Sequence, residues 1–322
     1  MTRDERSTAL DRLVGDLEVA LGPGVVQVNR SLARYTALRI GGPAEILVVA
    51  DGVDAVRKAV ALAWEHQVPC RVLGGGSNVL ISDAGMRGLV VINRARGVAF
   101  AASDEDGTQT ERFSVKAESG ASFSTVARQC VDRGLAGLEW AANIPGTVGG
   151  AVVGNAGASG GDVASTLVRA LVLRPGGVVE QWPVERFQYS YRSSRLKRAQ
   201  HASKPVVLEA EFALRRGDRE ALKAQVAGIV ARRKATQPPG ASCGSVFKNP
   251  PGDFAGRLLE ISGLKGSHMG GAEISNVHAN FIVNRGGAMA ADVKGLIDLA
   301  RRSVKEASGV DLELEVELVG EW

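Results

Sequence analysis

A run of three glycines in the segment CRVLGGGSNVLISD (70–83) could bind phosphate through its backbone N–H groups. It is not a Walker loop, because no lysine follows Gly76 at the required spacing. It is not the dinucleotide fingerprint either, because Val79 stands where the third glycine is needed and residues 79–81 resemble a strand rather than a helix. Glycines at a tight turn would produce the same pattern, so this loop alone leaves both interpretations open.

A second segment rich in glycine and other small residues, GLEWAANIPGTVGGAVVGNAGASGGD, covers residues 137–162. Its many glycines predict a long stretch without a regular element. Loops of this length inside compact domains are usually functional or disordered, and the apolar character of the segment argues against disorder. We therefore predict that it lines a ligand.

Four further stretches contain side chains that could carry chemistry. They are YSYRSSRLK (189–197), CGSVFKNP (243–250), AGRLLEISGLKG (255–266) and LELEVEL (312–318). Taken singly, each has a simple structural explanation: a solvated basic turn, a strand entry before an Asn-Pro turn, a short helix with a glycine C-cap, and an amphipathic strand. No single stretch identifies a reaction.

Hydrophobic periodicity predicts the elements that must position these segments. An N-terminal helix carries the stripe Leu10, Leu13, Leu17 and Leu21 and ends at the GPG of residues 22–24. Further helices are predicted over 53–67, 122–134, 218–236 and 292–307, and strands over 44–50, 88–95, 98–102, 112–118 and 206–215. A polar turn, SDEDGTQTE (103–111), a hairpin over 168–184 and a closing strand over 310–320 complete the pattern.

Composition excludes several classes of protein. The 322 residues predict about two domains, and 45% hydrophobic with 23% charged residues is typical of globular chains. The net charge of +4 is spread along the chain rather than concentrated in a stripe, which argues against a nucleic-acid partner and leaves room for a positive pocket that binds an anionic small molecule.

The cysteines and the N-terminal residues indicate the cellular compartment that we expect for the protein. The three cysteines and four histidines are scattered, without a disulfide framework or metal-ligand spacing, so a reducing environment and no metal are expected. The charged start MTRDERSTALDRL is not a signal peptide. No run approaches the ~18 apolar residues of a membrane helix, so we expect a cytoplasmic protein without membrane insertion.

Six blocks, taken together and in this order, resemble the UDP-N-acetylenolpyruvoylglucosamine reductases, the MurB flavoenzymes of peptidoglycan synthesis. The blocks are VLGGGSNVLISD, IPGTVGGAVVGNAGASG, YSYRSS, GSVFKNP, GLKG…GGAEISNVHANFIVN and GVDLELEV. The resemblance implies an α+β chain with a VAO/PCMH-type FAD-binding fold of two subdomains and a C-terminal α+β substrate-binding domain. The implied limits are 1–92 and 93–218 for the FAD subdomains, 219–307 for the substrate domain, and 308–322 for a strand that returns to the active site.

The resemblance gives both glycine segments a role. It implies that the loop 74–78 wraps the FAD pyrophosphate with backbone N–H groups and that the segment 144–158 lies along the rest of the cofactor. FAD should be non-covalent, because neither glycine loop contains a histidine to link it. The implied FAD contacts are Arg39, Gly74, Gly75, Gly76, Ser77, Asn78, Leu80, Ile144, Pro145, Gly146, Thr147, Gly149, Gly150, Asn155, Gly157 and Ala158.

The implied reaction reduces the enolpyruvyl group of UDP-N-acetylglucosamine enolpyruvate to the lactyl ether of UDP-N-acetylmuramate, with NADPH as hydride donor. Hydride addition at C3 builds negative charge on C2 and the carboxylate. The reaction therefore needs donors aimed at that charge and a proton source near C2. By motif match, Arg192 is the catalytic arginine, Ser245 the proton donor and Glu315 the catalytic glutamate.

Alternation alone does not select Glu315. A strand over this segment would place Glu313, Glu315 and Glu317 on one face, and only the motif match of the glutamate before Val316 distinguishes Glu315.

The implied substrate contacts are Tyr191, Lys248, Asn249, Arg257 and Lys265, the last four as candidates for the UDP diphosphate. For Lys265 a helix-end cation is the alternative.

Two departures from the family pattern are visible. Cys243 stands where a small residue such as alanine is expected, two positions before Ser245. The short interval from Arg192 to Ser245 resembles the subgroup without an extra substrate-covering loop, so the residue that holds the uridine end stays open.

Two other functions stay open on the residues alone. One is a different non-covalent FAD dehydrogenase of the same fold, and the other is a UDP-sugar-binding regulator without catalysis. The three catalytic matches disfavour both. A monomer or weak homo-oligomer is expected.

Overall fold

The chain divides into two compact units. A computed structural model describes residues 3–103, 112–199 and 204–322, so nearly all of the predicted polar turn over 103–111 lies outside the described residues. The first unit comprises Met1–Val28, Ile46–Gly75 and Gly88–Ala231, and the second comprises Asn29–Glu45, Gly76–Arg87 and Arg232–Trp322. These units are discontinuous in sequence, whereas the functional domains predicted from the sequence are consecutive; that functional division stays a prediction.

The described residues form an α+β structure. The helices are α1 (Arg3–Leu21), α2 (Val53–Glu65), α3 (Phe123–Asp132), α4 (Val148–Gly154), α5 (Arg195–Arg198), α6 (Arg219–Thr236), α7 (Ala255–Ile261) and α8 (Ala290–Ser308). The strands are β1 (Val26–Ser31), β2 (Pro43–Ala50), β3 (Cys70–Leu73), β4 (Val79–Ile81), β5 (Met86–Asn93), β6 (Val98–Ser103), β7 (Arg112–Glu118), β8 (Leu135–Ala136), β9 (Gly157–Ala158), β10 (Gly161–Asp162), β11 (Leu167–Leu173), β12 (Val179–Pro183), β13 (Val206–Arg216), β14 (Ala241–Ser245), β15 (His268–Met269), β16 (Ala272–Ile274), β17 (Phe281–Asn284) and β18 (Glu317–Val319).

An antiparallel sheet of order β12-β11-β13-β7-β6, with β8 paired to β13, forms the larger core of the first unit. Helix α3 packs on this core because its apolar residues recur at helical spacing: Phe123, Val126, Ala127, Cys130 and Val131 are all buried. Ser122 caps the helix by accepting the N–H of Thr125. The predicted helix and hairpin are both confirmed, the hairpin as β11 and β12.

A second core of the first unit lies under α1 and α2. Leu13 and Leu17 of the predicted stripe are fully buried, and α2 buries Val56, Ala59, Val60 and Ala63. The associated sheet has the order β1-β2-β5-β3, and β3 runs parallel to β5. The sheet therefore fixes the strand that leads into the three-glycine loop.

The second unit is built on an antiparallel sheet of order β14-β17-β16-β15 and on helix α8. Helix α8 buries Val293, Leu296, Ile297, Ala300 and Val304 in the core of this unit. A separate parallel pair joins β18 to β4, with Glu317 opposite Val79. Through this pair the chain terminus lies beside the strand that follows the three-glycine loop.

Two predictions of local structure are corrected. The segment 137–162 is not free of regular structure, because it contains α4, which Thr147 caps and which buries Val148, Ala151 and Val152. The closing strand over 310–320 is also wrong for most of its length. Only Glu317–Val319 form a strand, Leu314 makes an isolated bridge to Phe247, and residues 315 and 316 form a bend.

Candidate active site

The two glycine segments meet within the first unit. A β-carbon on Gly74 would lie 2.1 Å from Oγ1 of Thr147, and one on Gly75 would lie 3.0 Å from Cα of Gly146. The loop at 146–147 is itself held by the N–H of Phe123, which donates to the carbonyl of Gly146 over 3.1 Å. A side chain at Gly74 would clash with the Thr147 side chain, and one at Gly75 would crowd the Gly146 backbone, so glycine is favoured at both positions.

Gly76 lies in the second unit and needs glycine for a different reason. Its φ is +57°, and a β-carbon there would lie 2.1 Å from the carbonyl oxygen of Tyr35. Its own carbonyl accepts the N–H of Ala37 over 2.9 Å. The predicted cofactor residue Arg39 belongs to the same turn, and its φ is also positive, at +57°. The turn at 35–39 and the end of the glycine loop therefore form one packed structure.

The two glycine segments have the backbone chemistry that an FAD pyrophosphate needs, and their contact with FAD stays a prediction. Backbone that lacks β-carbons can approach a phosphate closely, and successive backbone N–H groups are the donors that such a group needs. Gly75 is exposed while Gly74 and Gly146 are partly buried. The backbone at Gly75 is therefore accessible from solvent.

Other predicted cofactor residues have defined structural positions. Leu80 is 1% exposed in the core of the second unit, so only its backbone is available to a cofactor. Gly149 packs on Ser119, with 2.8 Å from its would-be β-carbon to Cβ of Ser119, and the N–H of Gly150 donates to Oγ1 of Thr147 over 3.5 Å. Ile144 packs against the large core of the first unit, and Gly157 and Ala158 form β9. The contacts of Pro145 and Ser77 with FAD stay predictions.

The YSYRSS segment is attached to the C-terminus of α4. The hydroxyl of Tyr189 donates to the carbonyl of Val152 over 2.9 Å, and that of Ser194 donates to the carbonyl of Val153 over 2.6 Å. Carbonyls in the last turn of a helix lack intrahelical partners, and these two hydroxyls supply them. Asn155 ends the helix with a φ of +47°, and its side chain donates to the carbonyl of Ser190 over 3.1 Å. The second glycine segment thus holds the segment that contains Arg192.

Arg192 lies in a tight turn beside β9. Ser190 and Ser193 exchange two backbone hydrogen bonds of 3.1 Å each, and Arg192 between them has a φ of +55°. Its Nη1 atom would lie 3.3 Å from a β-carbon on Gly157. The guanidinium therefore packs against the glycine segment, whereas the neighbouring Tyr191 side chain is 55% exposed.

Ser245 and Glu315 are brought together within the second unit. The carbonyl of Val246 accepts the N–H of Glu315 over 2.9 Å and that of Val316 over 3.3 Å. Two residues further along the same pairing, the N–H of Lys248 donates to the carbonyl of Glu313 over 2.8 Å. The segment that follows Ser245 is therefore paired directly with the segment that contains Glu315.

This pairing separates the three glutamates that alternation could not. Two successive N–H groups share one carbonyl, as in a β-bulge, so the strict alternation of faces is broken at residues 315 and 316. The Glu313 side chain is 72% exposed and is paired with the ammonium of Lys248. Glu315 is half-buried, and Glu317 belongs to β18.

Cys243 is a core residue beside this pair. It is 2% exposed, and burial raises the pKa of its thiol to about 12, with a further contribution from the Glu315 carboxylate. A thiol in this state stays protonated near neutral pH and is a poor nucleophile. The departure from the family pattern therefore adds no ionised group near neutral pH.

The predicted substrate contacts have partners within the protein. Asn249 Oδ1 accepts the N–H of Ala255 at the start of α7 over 3.1 Å. Arg257 pairs with Asp253 and lowers the pKa of that carboxyl to about 2. Lys265 pairs with Glu260 over 2.7 Å. Each side chain is held in a defined position, and its contact with a substrate stays a prediction.

Two side chains with structural roles were missed by sequence reasoning. Asn280 is 3% exposed, accepts the N–H of Phe247 over 2.9 Å and donates to its carbonyl over 2.8 Å. Asp83 accepts the N–H groups of Ala290 and Ala291, at 2.8 and 2.9 Å, and so caps α8. An asparagine between apolar residues, as in ANFIV, was the available signal for Asn280.

Neither a metal cluster nor a membrane-spanning helix is found among the described residues. In the described part of the chain, no group of three or more His, Cys, Asp and Glu residues is arranged to hold a metal ion. Among the helices of the described residues, none combines the length and the apolar character needed to cross a bilayer.

Comparison with known proteins agrees with this geometry. Residues 44–181 match the family described as "FAD binding domain", and residues 234–319 match "UDP-N-acetylenolpyruvoylglucosamine reductase, C-terminal domain". The reductase of Chloroflexus aggregans is 44% identical over 298 residues, which cover 92% of this chain and 98% of the relative. That of Rubrobacter xylanophilus is 46% identical over 295 residues, covering 91% of this chain and 95% of the relative.

The crystal structure of the Thermus caldophilus reductase (MurB) superimposes with a TM-score of 0.73 at 33% identity, covering 91% of this chain and 97% of that one. The predicted VAO/PCMH-type α+β fold is confirmed, as is FAD as the cofactor. The chain belongs to the UDP-N-acetylenolpyruvoylglucosamine reductase family.

Proposed function

We propose that Ser245, Glu315 and Arg192 carry the chemistry of this reductase, with Ser245 as the proton donor to C2. The protein is an oxidoreductase that reduces UDP-N-acetylenolpyruvoylglucosamine with NADPH in peptidoglycan synthesis. Bound FAD supplies the two-electron chemistry that links NADPH to the enolpyruvyl group. The chain itself must bind and orient the substrate, stabilise the charge that develops on it and deliver a proton.

The proton is the first requirement. Reduction at C3 leaves an enolate-like C2, which is a strong enough base to accept a proton from a serine hydroxyl that would be a poor acid in water. Ser245 pairs with Phe281 in the ladder of β14 and β17, and its position in a strand gives its hydroxyl a defined direction. The observation that supports the proposal most is the attachment of Glu315 to Val246, the residue after Ser245.

The developing charge is the second requirement. We assign Arg192 to the enolate and carboxylate of the substrate, because preorganised cationic donors stabilise such charge without reorganisation. The support is its fixed position, since a turn with two backbone hydrogen bonds and the packing against Gly157 restrict its side chain. We assign Glu315 to the proton transfer, as the carboxylate that orients the proton donor near C2.

The remaining roles follow the family division. We propose that residues 1–92 and 93–218 bind FAD, that residues 219–307 bind the substrate and that the segment 308–322 contributes Glu315. Lys248, Asn249, Arg257 and Lys265 would bind the UDP diphosphate as cations and donors, and Tyr191 would contact the substrate. We also propose that the protein acts in the cytoplasm as a monomer or weak homo-oligomer.

Anaerobic stopped-flow absorbance of the flavin tests the role of Ser245. Ser245→Ala is mixed first with NADPH and then with the enolpyruvyl substrate. Flavin reduction should proceed at nearly the wild-type rate, and reoxidation should slow by ~10²-fold or more, because a positioned general acid contributes 10²–10⁴. Ser308→Ala, at the exposed end of α8, is the matched control and should leave both steps unchanged.

Two results would reject this assignment. Reoxidation of Ser245→Ala at the wild-type rate would show that another group donates the proton. Loss of reduction by NADPH would show that the serine holds the cofactor or the nicotinamide instead.

A further inference from the structure

The side chain of Asn78 points at the proposed catalytic segment. Its Nδ2 atom donates to the backbone carbonyl of Glu315 over 3.1 Å. Its own carbonyl accepts the N–H of Glu317 over 3.0 Å, at the start of the parallel pair of β4 and β18. One residue of the three-glycine loop therefore bonds on both sides of residue 316.

The Asn78 side-chain amide gives the Glu315 carbonyl a hydrogen-bond donor that the ladder of β4 and β18 does not provide. The chain bends at residues 315 and 316, so the parallel pair begins only at Glu317 and does not extend to Glu315. A partly buried carbonyl at such a bend costs free energy unless a donor reaches it. Asparagine has an NH₂ group on a short side chain, and it provides that donor from the neighbouring loop.

The peptide groups of Glu315 are thus bonded to two different segments. Its N–H is bonded to Val246, next to Ser245, and its C=O to Asn78. The position of Asn78 is itself restricted, because two residues before it Gly76 has a positive φ and approaches Tyr35 closely. The Asn78 side chain therefore links the end of the loop directly to the Glu315 backbone.

We infer that Asn78 is a positioning residue, which holds the Glu315 carboxylate for the substrate step through the Glu315 carbonyl. This inference rests on the role proposed for Glu315. The backbone of Asn78 can still face FAD, as the family resemblance implies, because the backbone and the side chain serve different partners. Loss of the Asn78 side chain should then slow the reoxidation of the flavin by substrate, and should not change the rate of its reduction by NADPH.

A double-mutant cycle on the full FAD-loaded protein tests this inference. Asn78→Ala should keep its flavin and its rate of reduction by NADPH within about 2-fold, and should slow reoxidation by the enolpyruvyl substrate by ~10-fold or more, because small displacements of catalytic groups cost that much. In a Glu315→Gln background the same substitution should slow reoxidation by less than about 2-fold, since residues that act as one unit are not additive.

A second variant keeps the test valid if the alanine protein folds poorly. Asn78→Asp has the same shape but lacks the donor, so it should repeat the selective slowing. Asn29→Asp is the matched control, because Asn29 is exposed on β1 and its φ of +52° suits aspartate; both half-reactions should be unchanged.

Three outcomes would overturn the inference. They are equal slowing in both backgrounds, loss of flavin from Asn78→Asp, or wild-type reoxidation by both Asn78 variants. The single variant Glu315→Gln is measured first. If it reoxidises at the wild-type rate, the role proposed for Glu315 fails, and this failure is distinguished from a failure of the inference about Asn78.

Discussion

The backbone N–H of Glu315 donates to the carbonyl of Val246 over 2.9 Å. This bond places the residue proposed to assist the proton transfer beside the residue that follows Ser245. The neighbouring N–H of Val316 shares the same carbonyl over 3.3 Å, which breaks the alternation of the closing segment. The three glutamates of LELEVEL therefore differ in surroundings although they are identical in spacing.

Substitution of these glutamates should separate them by activity. Glu315→Gln should slow reoxidation of the flavin by substrate by ~10²-fold, as expected when a group that acts in proton transfer is removed. Glu313→Gln should change it little, because the Glu313 side chain is 72% exposed and is already engaged by the ammonium of Lys248. Glu317→Gln should also retain most activity. Equal losses in all three variants, measured by stopped-flow, would contradict the assignment.

Gly75→Val should yield largely apo protein. A β-carbon at Gly75 would already lie 3.0 Å from Cα of Gly146, so the larger valine must displace one of the two cofactor loops. The ratio of flavin absorbance to protein absorbance measures the loss, and circular dichroism checks folding. Gly228→Ala, on the exposed side of α6 with no atom within 4 Å of the added carbon, should keep its full flavin content. A folded Gly75→Val protein with wild-type flavin affinity would refute the role predicted for the three-glycine loop in binding FAD.

Ser194→Ala should destabilise the protein by about 1–3 kcal/mol, the cost of leaving a buried acceptor without a partner. The Ser194 hydroxyl is fully buried and donates to the carbonyl of Val153 at the end of α4. Urea unfolding at constant m-value measures the change. Ser193→Ala removes only an exposed contact with Arg198 and should cost much less. Equal stability of the two variants would show that Ser194 does not hold the helix end.

Cys243→Ala should keep near-normal turnover. The thiol is buried, and its pKa is raised to about 12, so it has no ionised form to offer near neutral pH. In the native protein it should not react with a thiol reagent at pH 7.5, whereas it should react after denaturation. A loss of activity of ~10²-fold or more would assign it a role in proton transfer after all.

His278 should make stability fall in acid. Burial, and then the positive charge of Lys265, lowers the pKa of His278 below its usual 6.5, and its Nδ1 accepts the N–H of Asn280 over 3.2 Å. The unfolded chain binds this proton more readily than the folded chain. The stabilising contribution is therefore present above pH 6.5 and is lost as the pH falls through the lower folded pKa.

Urea unfolding of wild type and His278→Gln at pH 7.5 and at pH 5 checks this prediction. The stability difference between wild type and variant should shrink, or reverse, at pH 5, because glutamine does not titrate. A difference that is the same at both pH values would show that His278 does not contribute to the pH dependence.

The sequence alone determined the family, the fold class and the identity of the candidate residues. Amphipathic periods located α2 and α3, because the burial of one face of a helix leaves a mark every three to four residues. Six ordered motifs identified the chemistry, because reactive groups and close-approach glycines restrict residue type at particular positions. These are local properties, and they can be read without coordinates.

Only the tertiary structure decided which of these residues meet. Gly74 and Thr147 are 73 positions apart in the chain, and so no local pattern predicts that one leaves space for the other. Alternation assigns faces only where a ladder is continuous, and at Glu315 two N–H groups share the carbonyl of Val246, so the rule fails at the residue that matters most. The sequence likewise indicates only that Asn78 belongs to a phosphate-binding loop. Its hydrogen bond to the carbonyl of Glu315 depends on a bend of the chain 237 positions later, which no local pattern predicts.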